Sequence, residues 1–154
     1  MGRLAILRDY VDATLDQMKD ENKRKSAYIH LYGVSLSATL IAKHRHEDAE
    51  LAAMAAMLHD LYAYKNSSYE DHAHRGAELA REILEELKLT SEQENEKIVS
   101  AIYHHDDKEV VDRPFDEVLK DADVMHHTMN DLDKPIKEKE KKRFEALLDE
   151  FQLR

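Results

Sequence analysis

Apolar residues recur along this chain at intervals of three and four, the period of helices packed on one side. Leu4, Leu7, Val11, Leu15 and Met18 share one face of a helix predicted over about residues 3–20, which the polar run Asp20-Glu21-Asn22-Lys23 breaks. A second helix spans about 24–43, with His30, Val34, Ser37 and Ile41 on one stripe, so His30 faces the core. The basic connector Lys43-His44-Arg45-His46 then leads into the stretch that organises the rest, residues 49–61. Leu51, Met54, Ala55 and Leu58 fall at i, i+3, i+4 and i+7, and alanine fills most of the remaining positions. A helix apolar nearly all round is packed by neighbours on several sides, and Asp48 can cap its start. It ends abruptly in His59-Asp60, whose side chains point about 100° apart. At a helix end, both can reach inward to a single ion.

The segment Leu61–Tyr69 reads as a loop. Ser67, with Glu70 three residues on, has the spacing of a capping box, opening a helix over about 69–88 that carries His72, His74 and Gly76. Its buried stripe is Leu79, Ile83 and Leu87. Ser91 and Glu94 open another helix, which runs to about 105 and ends in Ile102-Tyr103-His104-His105. Pro114 suits the first turn of a helix continuing to Met125. Pro135 interrupts the pattern, and an amphipathic helix over 136–154 follows, with Phe144, Leu147, Leu148 and Phe151 as its stripe. No repeat or linker divides the chain. The expectation is one all-α domain over 1–154, a bundle of about six or seven helices.

Composition narrows the function classes. Three glycines and two prolines in 154 residues suit a nearly all-helical fold. A net charge of −10 argues against bulk nucleic acid or an anionic membrane as partner, and leaves room for a locally basic pocket holding a small anion. The absence of cysteine excludes disulfides and thiolate metal sites and suits a reducing cytoplasm. The N-terminus is charged too early for a signal peptide, and no apolar run approaches membrane-spanning length. The protein is expected to be soluble and cytoplasmic. No pattern specifies its oligomeric state.

Each candidate residue has an ordinary reading beside its chemical one. His30 alone is a hydrogen-bonded core histidine, and His59-Asp60 alone a solvated or capping pair. Asp123 says more, because it lies between Ala122 and Val124 in a helix whose neighbours look buried. An ionised carboxylate buried without a partner costs several kcal/mol, so Asp123 needs a cation, a set of donors or an exposed edge. Asp121 reads as solvated. His104-His105 can be a helix end favourable to imidazolium. His126-His127, one turn after Asp123, read as surface or as support behind a ligand, and His44, His46 and His74 as surface or pocket rim.

Taken in order, His30, His59-Asp60, His72, His104-His105 and Asp123 lie on successive helices. That arrangement resembles the HD-domain superfamily of metal-dependent phosphohydrolases, over about residues 27–131. His30 stands for the first histidine of the family and His59-Asp60 for its namesake pair. The stretch from His72 through Gly76-Ala77 to Ile83-Leu84 resembles the family's "HxxxGAxxAxxIL" helix and selects His72 over His74. The ending Ile102-Tyr103-His104-His105 resembles "IxxH" and favours His105 over His104, and Lys120-Asp121-Ala122-Asp123 resembles the "K-x-A-D" that supplies the last metal-binding aspartate.

The resemblance implies hydrolysis of a phosphate ester or anhydride of a small molecule, a nucleotide or related metabolite. His30, His59, Asp60 and Asp123 would hold the principal metal. His72 and His105, with His104 as the alternative, would hold a second metal or the substrate phosphate, and Asp60 would bridge if two ions bind. A ligand set of imidazoles and carboxylates favours Fe or Mn, with Zn, Co, Ni or Mg also allowed. Lys43, Arg45, Arg75 and Lys108 are available for phosphate. One departure narrows the choice: several subfamilies, among them 5′-nucleotidases and hydrolases of guanosine alarmones, place an acidic residue three positions after the aspartate. Here that position is Ala63, within Leu61-Tyr62-Ala63-Tyr64, and the two tyrosines either line a base- or sugar-binding wall or cover the core. Two further readings stand beside hydrolysis: a diiron oxygenase on the same scaffold, and a ligand-binding or regulatory module without turnover.

Overall fold

A computed structural model describes residues 1–154 as eight α-helices and one 3₁₀ turn, with no strand. The helices are α1 (Arg3–Leu15), α2 (Glu21–His44), α3 (Ala49–Leu58), α4 (Leu61–Asn66), α5 (His72–Leu87), α6 (Glu92–His104), α7 (Pro114–Asn130) and α8 (Lys141–Glu150). The 3₁₀ turn Glu138–Glu140 leads directly into α8. No helix is long and apolar enough to cross a membrane.

Local chemistry sets most of the boundaries. Asp20 accepts a hydrogen bond from the Lys23 amide at 3.0 Å, so the polar run 20–23 is the capped start of α2 and not simply a break. The first helix correspondingly stops at Leu15, short of the predicted 20. Asp48 caps α3 through the Leu51 amide at 3.0 Å. Ser91 and Glu94 form the expected reciprocal box on α6, and Pro114 is in the first turn of α7.

The segment after Asp60 departs from the loop and capping box predicted for it. Residues 61–66 form the short helix α4, because Leu61 and Ala63 point into the core while Tyr62 and Lys65 point away. Ser67 does not cap the next helix. It ends α4 in the left-handed region at φ 51°, and α5 begins at His72 after Asp71, also left-handed at φ 51°. Two reversals within five residues turn the chain sharply, and this brings His72 back towards Asp60.

The core is organised around α3. Every residue from Leu51 to Leu58 is at most 2 % exposed, and α3 packs against α1, α2, α6 and α7. Two glycines permit close approach to its carboxyl end. A Cβ on Gly33 of α2 would lie 2.1 Å from Nδ1 of His126 on α7, and one on Gly76 of α5 would lie 3.3 Å from the His59 carbonyl. Four helices thus converge where α3 runs out.

The carboxyl-terminal segment is held to this bundle by part-buried ion pairs. Arg45, just past the end of α2, pairs with Asp121 and Glu150, both at 2.8 Å, and Arg143 pairs with Glu117 at 2.8 Å and Asp121 at 3.2 Å. Asp121, expected to be solvated, is therefore buried between two guanidinium groups. The fully buried Lys120 donates to Asp112 and the Val110 carbonyl, fixing the loop between α6 and α7. Leu147 is the buried residue of the α8 stripe, with Phe144 and Phe151 partly covered beside it.

Candidate metal centre

Six side chains from five elements meet at the end of α3. His30 comes from α2, His59 and Asp60 from the turn that closes α3, His72 from the first turn of α5, His105 from the end of α6, and Asp123 from the middle of α7. His59, Asp60, His105 and Asp123 are buried, while His30 and His72 open onto a cleft of about 450 Å³.

The Asp60 carboxylate is at the centre of the arrangement. Its Oδ2 faces Nε2 of His30 at 3.0 Å and of His59 at 3.3 Å, while its Oδ1 faces Nε2 of His105 at 3.3 Å and of His72 at 3.5 Å. Asp123 Oδ1 adds a second oxygen to the first group, 3.3 Å from His30 and 3.5 Å from His59. The ring nitrogens of His30 and His59 are themselves only 3.1 Å apart.

The far sides of the rings explain why these nitrogens converge. Nδ1 of His59 donates to the Ala56 carbonyl at 2.6 Å, that of His72 to Tyr69 at 3.0 Å, and that of His105 to Ile102 at 2.6 Å. A carbonyl only accepts, so each Nδ1 carries the proton and each Nε2 presents a lone pair to the centre whenever the ring is neutral. Lone pairs of nitrogen would then face carboxylate oxygens, an arrangement that a cation between them makes favourable. Asp60 Oδ1 and Asp123 Oδ1 are buried and receive no hydrogen bond. Two orphaned carboxylate oxygens ringed by imidazoles fit a divalent metal ion held by nitrogen and oxygen donors.

Electrostatics give the same picture. Burial opposes charge on His59, but Asp60 and Asp123 outweigh it and hold the ring up to about 10. His30 is raised by the same two carboxylates against its own burial. His105 is lowered by burial, which Asp60 only partly offsets. Asp60 and Asp123 are held well below the usual carboxylate range despite their burial, Asp60 chiefly by His59 and Asp123 chiefly by Lys108. Protons on histidine balance the carboxylates here, and a metal ion would take over that role.

Several residues lie elsewhere than the sequence suggested. His104 turns away: its Nδ1 donates to the Ser100 carbonyl and its ring faces Asp112 and Asp116, so His105 alone enters the centre from this pair. Lys43 is exposed near the far end of α2, 13 residues and about 20 Å along the axis from His30. Arg45 is committed to Asp121 and Glu150. Arg75 points outward to the Tyr62 hydroxyl at 3.0 Å, and neither lines the cleft. Lys108 does reach the centre, but as the partner of Asp123 Oδ2 at 2.8 Å rather than as a free cation. Of the tyrosine pair, Tyr64 lines the cleft and Tyr62 does not.

Four residues at the cleft lie outside the expected ligand set. His126 and His127, expected at the surface or behind a ligand, both line it, and His127 Nε2 is 3.4 Å from Asp123 Oδ1. The spacing Asp123 to His127 is i to i+4, one helix face, and that signal was present in the sequence. His126 is pushed down to about 4 by burial and by the charge on His30, so its ring is neutral. Lys134 and Lys137 add positive charge to the rim from the segment around Pro135, where no periodicity pointed to them.

Residues 27–128 match the family model of the HD domain. The chain belongs to the HD-domain superfamily. No curated protein and no solved structure gives a significant match. The matched segment of this HD-domain protein begins three residues before His30 and ends five after Asp123, so it spans the entire set facing Asp60.

Proposed function

We propose that this HD-domain protein is a cytoplasmic, metal-dependent phosphohydrolase that cleaves a phosphate ester or anhydride of a small molecule, a nucleotide or related metabolite. The observation that carries the reading is the division of the buried Asp60 carboxylate between two histidine pairs, Oδ2 towards His30 and His59 and Oδ1 towards His72 and His105. The first pair, with Asp60 and Asp123, would hold one ion, Fe or Mn by its donors. The second pair and the other Asp60 oxygen would hold another. Divalent ions there supply Lewis acidity, polarising a phosphoryl oxygen and lowering the pKa of a water towards neutrality.

The chain's own groups supply positioning and charge. Asp60 fixes the spacing between the two ligand sets. Lys108 holds Asp123 Oδ2 and stays an ammonium, leaving Oδ1 to face the imidazoles. Lys134 and Lys137 make no ion pair within the chain and line the rim, which suits them to receive phosphate oxygens in an otherwise acidic protein. Tyr64 is raised by burial and by Asp60, so its hydroxyl keeps its proton and can donate to a substrate oxygen. Ala63 is buried on the core side of α4, and so supplies no acidic group at the position that the nucleotidase and alarmone-hydrolase subfamilies use. Substrates outside those two groups are favoured.

The test is phosphate release from a panel of nucleotides, sugar phosphates and an aryl phosphate, with Mn²⁺ or Fe²⁺ added to metal-free protein. Turnover is expected, falling as pH drops and protons compete for the histidines. Asp60→Asn should lose at least ~100-fold in kcat, the scale of removing one strong transition-state contact. No turnover with any metal favours a ligand-binding module, and dioxygen consumption by the Fe²⁺ form favours an oxygenase.

A further inference from the structure

We infer that His127 is an additional metal ligand on the Asp123 side of this centre, held in place by Glu140. The inference rests on the metal-centre reading above, but concerns a residue outside the set that the family resemblance marks. His127 lies one turn beyond Asp123 on α7, and its Nε2 is 3.4 Å from Asp123 Oδ1. Lys108 occupies the other oxygen of Asp123 at 2.8 Å. Oδ1 is buried, receives no hydrogen bond, and is surrounded by three imidazole nitrogens, those of His30, His59 and His127, at 3.3–3.5 Å. Ligand atoms of His30, Asp123 and His127 all lie within 4.8 Å of one another, close enough to share an ion.

The outer side of the His127 ring is equally specific. Its Nδ1 is 2.7 Å from Glu140 Oε1, and an ionised carboxylate only accepts, so Nδ1 carries the proton and Nε2 is left to face the cleft. Glu140 is 1 % exposed, and its side chain pairs with His127 alone. Burying a carboxylate is costly unless it is paired. A carboxylate that orients an imidazole towards an ion, and raises the basicity of the ring, is the usual outer partner of a metal-ligating histidine. Glu140 lies beyond the matched segment, which ends at 128, so the carboxyl-terminal turn completes a centre that the HD region begins. Gly33 on α2 leaves the room that the ring of His126, the neighbour of His127, occupies beside His30.

The test is calorimetric titration of metal-free protein with Co²⁺, read beside the visible spectrum of the cobalt form. His127→Ala should weaken at least one binding step by more than tenfold and alter the cobalt bands. Glu140→Gln should weaken the same step about tenfold, the range for loss of an outer partner. Wild-type affinity and an unchanged spectrum in His127→Ala would overturn the assignment, as would lost activity with unchanged affinity, which makes His127 a substrate contact. Absence of any Co²⁺ binding by wild type would overturn the metal reading itself. Should the alanine variant not fold, nitrogen-15 NMR of wild-type histidines decides: Nε2 of His127 moves on Zn²⁺ loading if it ligates, and an unmoved resonance rejects the proposal.

Discussion

At the scale of single residues, the site was legible where chemistry contradicted its surroundings. Asp123 between Ala122 and Val124, and His59-Asp60 closing an apolar helix, are polar groups that a core does not accept without a partner. His127 and His126 carried no such contradiction, because their sequence neighbours Thr128, Met129 and Asn130 are compatible with solvent. Only the i, i+4 relation to Asp123 distinguishes His127, and Glu140 comes from a segment whose docking no local pattern specifies. The histidine charges lead to a pH prediction. In metal-free protein the folded-state pKa of His59 is raised to about 10, so the ring is protonated throughout the neutral range. An ion must displace that proton, and metal affinity therefore rises with pH. Titration with Mn²⁺ at pH 6, 7 and 8 should show tightening at each step with proton release in buffers of different ionisation enthalpy. Affinity independent of pH would mean that the imidazoles are not ligands.

At the scale of elements, the apolar period located α2, α3, α5, α6 and α7 to within a few residues, and capping chemistry explains the best-placed starts. The misreading around Ser67 and Glu70 has a physical cause. The spacing of a capping box is necessary but not sufficient, and here two left-handed residues, Ser67 and Asp71, shift the helix start to His72. That shift places His72 in the first turn of α5, facing Asp60. Between α2 and α7, Gly33 leaves room for the His126 ring. Gly33→Ala would force a methyl into the His126 ring, so α7 must retreat or His126 must rotate. We predict a loss of about 1–3 kcal/mol in chemical denaturation, the usual cost of overpacking, together with weaker metal binding. Unchanged stability and affinity would show that the contact between the helices yields freely.

At the scale of the whole molecule, net charge described the surface and missed the site. A charge of −10 disfavours bulk polyanions, yet Lys134 and Lys137 line one cleft with His30 and His72, and the buried Lys108 pairs with Asp123 behind it. The bundle brings them together by running α3 through its middle and ending it where α2, α5, α6 and α7 converge, a meeting that periodicity alone does not encode. Arg45 and Arg143 then clamp the carboxyl-terminal segment over α7, which keeps Glu140 against His127. In the proposed centre, Asp60 serves two ligand sets at once. The most direct measurement of this is metal content per chain in protein reconstituted from the metal-free form and freed of excess ion. About two ions are expected in wild type, about one in His72→Ala/His105→Ala, and fewer than two in Asp60→Ala, which loses the shared carboxylate. A wild type that never exceeds one ion, matched by the double variant, would contradict the two-ion reading.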